Sequence, residues 1–553
     1  MSGLEFGETP GDLGPGNQFY KNATPSGDPY IDGLLFFRQW KVAEITFSFP
    51  TSGAFYEYTN EPSGFVAANS ANIAAFRDAL REISRVTPLT FAELTETSSQ
   101  HAILRLGATT VDGNFPAAYY PDDSAQAGDV WLKANSGDPD WETPVAGNRG
   151  WTVMRHELGH AFGLKHPFED IAPEFPMMPA DRNFKEFTVM AYNGFMAGNG
   201  VNFADFQPTT YMIYDIAALQ HLYGANFNFR SGDTTYAFDP NTGEMTINGL
   251  PQGAPFINRI FMTIWDGGGA DTFDLSAYSN DLVVDLEPGS WSVFSPAQLA
   301  GHPGYPHLKA VGNVFNALQY HGDPRSLIEN VIGGSGDDDI SGNAAGNLLK
   351  GGAGADVLRG WGGRDNLIGD DDNDLLFGYG SHDSLYGGNG DDDLRGGFGR
   401  DLLNGSGGND VARGGLGDDR IFGGGGADTL FGNEGDDSLT GGGGGDRLKG
   451  DAGDDTLNGR FGDDTVSGGA GDDLFEFRQG HGNDVIDDFT AGAASEDVVR
   501  LIGFGAAFDS FAEVLAASSQ IGANVVIDFG GGDSITLENT TLARLHADDF
   551  TFG

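Results

Sequence analysis

The sequence predicts an α+β domain followed by an all-β parallel β-roll, a solenoid that ends in a C-terminal β cap. Three observations carry this expectation. Up to about residue 235, apolar residues recur at both helical and strand spacing. From Gly333 to Glu476 the chain divides into sixteen nine-residue units without a gap. Residues 477–553 still alternate as strands but no longer repeat. The expected division is a leader over 1–30, the α+β domain over 31–235, a β-rich lead-in over 236–332, the nonapeptide roll over 333–476 and the cap over 477–553.

Composition narrows the function classes. The chain of 553 residues is too long for one ordinary core. It contains no cysteine, so disulfides and thiolate-held metals are excluded and any metal must use His, Asp, Glu or carbonyl oxygen. A formal charge of −50 argues against nucleic acid and anionic membranes as partners. No stretch approaches the run of about 18 apolar residues that a transmembrane helix needs. The first residues, "MSGLEFGETPGDLGPGNQFY", have neither the basic nor the apolar region of a Sec signal peptide.

In the first domain "EITFSFP" (Glu44 to Pro50) reads as a strand. A helix follows, with Ile73, Phe76, Leu80 and Ile83 on one face, Ser70 as its expected cap and Pro88 beyond its end. "TFAEL", "AILRLG" and "GDVWLKA" read as short strands, and "IYDIAALQHLYGAN" as a later helix stopped at Gly224.

Between them "VMRHELGHAFGLKHPF" (Val153 to Phe168) carries H-E-x-x-H-x-x-G-x-x-H. Residues i and i+4 share a helix face, so His156 and His160 can grip one ion. Glu157 then lies beside the metal as a general base rather than a ligand. Gly163 turns the chain at low steric cost and lets His166 swing back as the third ligand. Three histidines leave a fourth position for water, the catalytic pattern for zinc, Zn²⁺. Downstream, "FTVMAYNG" places Met190 where a methionine turn beneath such a metal is expected.

The nonamers follow G-G-x-G-x-D-x-U-x, where U is apolar. Position one is glycine in all sixteen, and position eight is apolar in all, from Ile340 and Leu349 to Val466 and Phe475. Position six is aspartate in fifteen: Asp338, Asp356, Asp365, Asp374, Asp383, Asp392, Asp401, Asp410, Asp419, Asp428, Asp437, Asp446, Asp455, Asp464 and Asp473, with Asn347 the exception. Oxygen ligands at this spacing suit several structural calcium ions, Ca²⁺, between stacked turns. The sixteen units hold 30 acidic and 10 basic residues, so the roll is expected to fold only with calcium.

With these residues in view, the chain resembles the serralysin family, metzincin zinc metalloproteases of the M10 peptidase type with RTX calcium-binding repeats. The resemblance rests on "HELGHAFGLKHP", on "TVMAY", on "DIAALQHLYGAN" and on the nonamers. It implies a metzincin-like catalytic domain over 31–235 joined to an RTX roll, and a propeptide-like leader. It implies that Tyr192 is a movable zinc ligand that stabilises the oxyanion. It places calcium contacts at Asp233, Asp266, Gly268 and Asp271, and it makes "GDVWL" the edge strand that holds substrate. It also implies a monomer secreted from a Gram-negative cell through type I secretion machinery, using an uncleaved C-terminal signal ending in "DDFTFG", and acting on extracellular protein or peptide substrates. The alternative is a calcium-binding RTX adhesin or surface protein with a vestigial protease domain; the complete set His156, Glu157, His160, His166 and Tyr192 speaks against lost activity.

Overall fold

The computed structural model describes residues 19–553 apart from 57–63, 98–99, 112–115, 123, 135, 197–205, 303–304 and 493–496. The first eighteen residues of the expected leader thus lie outside the described residues. The chain forms two compact units: residues 1–271 with 288–328, and residues 272–287 with 329–553.

The first unit is built on a six-stranded sheet in which five strands follow the order β2-β1-β3-β5-β4: β1 (Glu44–Ser48), β2 (Thr90–Leu94), β3 (Leu104–Thr109), β4 (Ala117–Ala118) and β5 (Val130–Lys133), while a sixth, Phe65–Ala67, pairs antiparallel with β3. β1, β2, β3 and β5 run parallel, while the two-residue β4 runs antiparallel to β5. "GDVWL" is therefore not an edge strand. β5 is paired on both sides, and β4 is the edge. A short apolar strand bonded on both sides is what Val130, Trp131 and Leu132 need, since all three are buried.

Helix α1 (Ser70–Val86) packs Phe76, Leu80 and Ile83 inward, as its spacing predicts. Its cap is Asn69, whose side-chain oxygen accepts from the Asn72 N–H at 2.8 Å, whereas Ser70 is the first helical residue. Asparagine caps at least as well as serine, and it stands one place earlier. Helix α2 (Arg149–Ala161) starts at Asn148, whose oxygen accepts from Trp151 N–H. Buried Arg155 ties α2 to α1, donating to Glu82 at 2.8 Å and to Asp78 at 3.0 Å. This pair fixes the rotation of α2, because breaking it would strand a buried charge. Helix α3 (Ile213–Tyr223) ends at Gly224, where φ is +88°.

In the second unit the nonamers wind as two facing parallel sheets. Successive repeats alternate between them, so each strand pairs with the strand eighteen residues on, as in Leu385↔Leu403 and Leu394↔Ala412. Every position-eight residue is buried between the sheets, from Ile340 through Ala412 to Phe475. Each buried leucine contributes about 1.5–3 kcal/mol by leaving water. The roll ends in strands Val498–Ile502, Asn524–Gly530, Asp533–Leu537 and Phe550–Phe552. The expectation of strands alone misses the helical segments there: Phe511–Ala517 forms an α-helix, α4, that buries Val514, and among the described residues three short 3-10 turns lie around it.

Candidate functional site

The three histidines of α2 and its exit converge. The Nε2 atoms of His156 and His166 lie 3.2 Å apart and those of His160 and His166 lie 3.1 Å apart. Each ring is held from behind. His156 Nδ1 donates to the Val189 carbonyl at 2.9 Å, His160 Nδ1 to the Leu164 carbonyl at 2.7 Å, and His166 Nδ1 to Glu169 Oε1 at 2.8 Å. With Nδ1 engaged as donor, each Nε2 lone pair faces the shared centre. Burial pushes the His156 imidazole down to about 3 and holds His160 well below its ordinary range, so both rings are neutral and could serve as ligands. Three convergent imidazoles fit zinc, the donor set of an open catalytic site.

The loop geometry follows from Gly163. Its φ is +92°, and a Cβ there would sit 2.4 Å from the Arg38 carbonyl oxygen. Gly163 thus lets the chain leave α2 and return His166 to the metal side.

Met190 is fully buried beneath α2, and a Cβ on Gly159 would lie 2.6 Å from its sulfur. Its turn is pinned by Asp215, which accepts from Thr188 Oγ1 at 2.5 Å, Val189 N–H at 2.7 Å and Met212 N–H at 2.9 Å. Burial raises the Asp215 carboxyl to about 7 against the pull of these donors. Val189, held this way, is the residue whose carbonyl orients His156. Tyr192 is half exposed, with its hydroxyl 2.9 Å from His166 Nε2. Burial pushes the Glu157 carboxyl up to about 8, toward the range in which it can both take and give a proton near neutrality. Two of these residues lacked a sequence signal. Glu169 follows the motif with no fixed register, and Asp215 sits in the first turn of a mostly apolar helix.

The four lead-in residues come together in the first unit. Asp233 accepts from Ala270 N–H at 2.9 Å, Asp271 from Thr234 N–H at 2.8 Å, and Asp266 from Gly268 N–H at 3.1 Å. Asp266 also accepts from the buried Tyr236 hydroxyl at 2.6 Å, a partner that the sequence pattern does not single out.

In the roll, each aspartate uses one oxygen as a rung. Asp392 N–H donates to Asp410 Oδ1 at 2.9 Å, and Asp410 N–H donates to Asp428 Oδ1 at 2.9 Å. The other oxygen, Oδ2, is buried without a hydrogen-bond partner in thirteen repeats, from Asp356 to Asp464. It faces the position-one glycine: a Cβ on Gly387 would lie 2.1 Å from Asp392 Oδ2. Burial, and in most of them the neighbouring carboxylates, raises these groups, to about 8 at Asp356 and about 7 at Asp374, Asp383 and Asp446. A ladder of buried, unbonded anionic oxygens fits a hard cation such as calcium. Asn347 differs. Its amide nitrogen donates to the Glu329 carbonyl at 2.7 Å and to Asn343 Oδ1 at 3.2 Å. Asp338 also differs, since Leu282 and Gly334 N–H groups occupy both its oxygens. The ladder runs past the last nonamer: Asp464 N–H donates to Asp484 and Asp473 N–H to Asp497, at separations of 20 and 24 residues. Those irregular spacings hide both from a nine-residue search.

Comparison with known proteins agrees with this picture. Residues 225–302 match the family described as Peptidase M10 serralysin C terminal. Residues 332–367, 368–403, 404–439 and 440–475 match the RTX calcium-binding nonapeptide repeat. Serralysin G of Dickeya chrysanthemi is 33% identical over 322 residues, covering 56% of this chain and 61% of that protein. Metallopeptidase AprA of Pseudomonas marginalis is 31% identical over 317 residues, with the same two coverages of 56% and 61%. Serralysin C of Dickeya chrysanthemi is 34% identical over 307 residues, covering 54% and 58%. The matched region thus spans about three fifths of these relatives' length, at most 61%. Among the described residues no helix is long and apolar enough to cross a membrane. The chain is similar to serralysins over 56% of its length, with a segment that matches the M10 serralysin C terminal family and an array that matches the RTX calcium-binding repeat.

Proposed function

We propose that this chain is a secreted, calcium-dependent zinc endopeptidase that hydrolyses peptide bonds of extended extracellular proteins. The observation that carries the reading is the convergence of His156, His160 and His166 beside Glu157. Zinc, when bound by these three imidazoles, supplies Lewis-acid polarisation of the peptide carbonyl and acidifies water. Glu157 takes a proton from the attacking water and returns it to the leaving amine. The Tyr192 hydroxyl, placed beside His166, donates to the developing oxyanion. Met190 and Gly163 support the site without touching substrate, and Asp215 holds Val189 against His156.

On this reading residues 31–235 form the catalytic domain and 236–332 lead into the calcium region. Residues 333–476 form the roll, and 477–553 form a cap that carries the type I secretion signal. Calcium is held by Asp233, Asp266, Gly268 and Asp271 and by the repeat aspartates from Asp356 to Asp473; Asp338, with both oxygens bonded, is the weakest member of that set. The protein acts as a monomer. Support for export comes from the kinship with serralysins and from a roll whose buried carboxylates need a calcium-rich medium. Casein digestion tests the activity. Cleavage in calcium that stops with a zinc chelator and returns with added zinc is expected. Chelator-insensitive digestion, or a purified protein with no zinc, contradicts it.

A further inference from the structure

A cleft of about 610 Å³ opens beside the metal-site helix and includes His156 and Glu157 in its wall. Thr152, Val189 and Gln207 line it and are buried, so they form its deep end. Lys185 joins them there. Its ammonium donates to Gln207 Oε1 at 2.7 Å, and its backbone N–H is bonded to the Asn193 and Gly194 carbonyls, which fixes the stem. Among the described residues no carboxylate pairs with this ammonium, and the charge that bears on it is a like one, Arg149. Burial, with Arg149 second, lowers Lys185 to about 8, so it remains a cation at neutral pH.

Apart from Glu157, the cleft's own carboxylates are engaged elsewhere. Asp138 caps the Asp140 N–H at 3.0 Å, and Asp140 takes the Asn148 amide at 3.5 Å. Arg149 lies over the Trp141 ring, 5.1 Å from its centroid. A partly buried cation without a counter-charge is unfavourable, and an anion of the right reach relieves it. The neutral Gln207 oxygen satisfies one of the ammonium's three donors and leaves the others for an incoming group. A side chain next to the bond being cut reaches this cleft, because Glu157 lines it as well.

We propose that Lys185, held by Gln207, is a specificity-determining residue that binds a carboxylate side chain of the substrate, so that cleavage favours sites with Asp or Glu at one position flanking the scissile bond. This inference rests on the peptidase reading and adds a substrate class to it. An apolar side chain entering the same cleft would leave the ammonium desolvated and unpaired, which is the basis of the discrimination.

The test is cleavage-site sequencing on a proteome-derived peptide library, using the full chain loaded with zinc and calcium, for wild type, Lys185→Met, Lys185→Arg and Lys185→Glu. Wild type should enrich Asp and Glu at one flanking position. In matched peptide pairs, the acidic-over-neutral ratio of kcat/KM should fall about tenfold in Lys185→Met. It should be largely kept in Lys185→Arg, and Lys185→Glu should turn the preference toward Lys and Arg. A merely structural lysine would change overall rate in the variants without changing that ratio. Cleavage by wild type with a flat profile at every flanking position overturns this inference alone. An identical profile in Lys185→Glu and wild type does the same. No cleavage by the metal-loaded wild type overturns the peptidase reading, and this inference with it.

Discussion

Glu169 Oε1 accepts a hydrogen bond from His166 Nδ1 at 2.8 Å, and Glu169 Oε2 accepts from the His166 backbone N–H at 3.3 Å. One carboxylate therefore fixes both the ring and the chain of the third histidine. His166 is the ligand that α2 does not hold, since it follows the Gly163 turn. Removing such a partner costs about 10–100-fold in metal affinity. Glu169→Ala should weaken zinc by about that factor, and Glu169→Gln, which still accepts, by less. Competition against a chromophoric chelator reads this directly. Equal affinity in wild type and Glu169→Ala would show that His166 needs no such support.

Asn347 tests the reading of the roll from the opposite side. Its amide donates to the Glu329 carbonyl and to Asn343, where its neighbours in the ladder carry unbonded carboxylate oxygens. Asn347→Asp removes both donors and sets an anion against a carbonyl. The roll should lose about 1–3 kcal/mol at low calcium, seen as a lower unfolding midpoint. Asp401→Asn should instead lower calcium stoichiometry. A stabilised Asn347→Asp protein would show that this turn is an ordinary calcium site.

Calcium removal should unfold the roll. Thirteen buried oxygens without donors cannot all stay ionised side by side, and burial already raises their carboxyl groups. Circular dichroism at pH 7.5 should lose most of its β signal in a calcium-selective chelator and regain it in millimolar calcium. The same spectrum in both media contradicts the ladder as a set of calcium ligands.

His481 sets an acid limit for the second unit. Burial pushes its imidazole down from the ordinary 6.5 to about 4, helped by the Arg478 charge, opposed by Asp533 and further lowered by Arg460. Its Nδ1 is buried with no hydrogen-bond partner. The unfolded chain binds a proton before the folded one does. The contribution is thus full above about pH 6.5 and is lost as pH falls toward 4. In saturating calcium, the fall in unfolding midpoint between pH 7.5 and 5 should be smaller in His481→Gln than in wild type. Equal falls would remove His481 from the account.

Much of this was legible in the sequence because the features are strictly spaced. The metal motif fixes three histidines and a turn by counting alone. The nonamer fixes which residues are buried, since position eight faces inward in all sixteen copies. What spacing does not encode stayed hidden. Glu169 and Asp215 themselves stand in no repeat or motif register, although the groups they hold lie 3 and 26 to 27 residues away. Asp484 and Asp497 continue the ladder after insertions have broken its period. The edge of the first unit's sheet differs from the expectation because β4 is only two residues long, too short to show alternation. Helix α4 was missed because its seven residues bury little besides Val514.

The central claim is that Glu157, beside three convergent histidines, moves the proton in peptide hydrolysis. The most direct measurement compares wild type with Glu157→Gln on one extended peptide, after metal analysis shows one zinc in each. Loss of about 10²–10⁴-fold in kcat with zinc retained is the predicted result. Equal turnover by the two zinc-loaded proteins would contradict it.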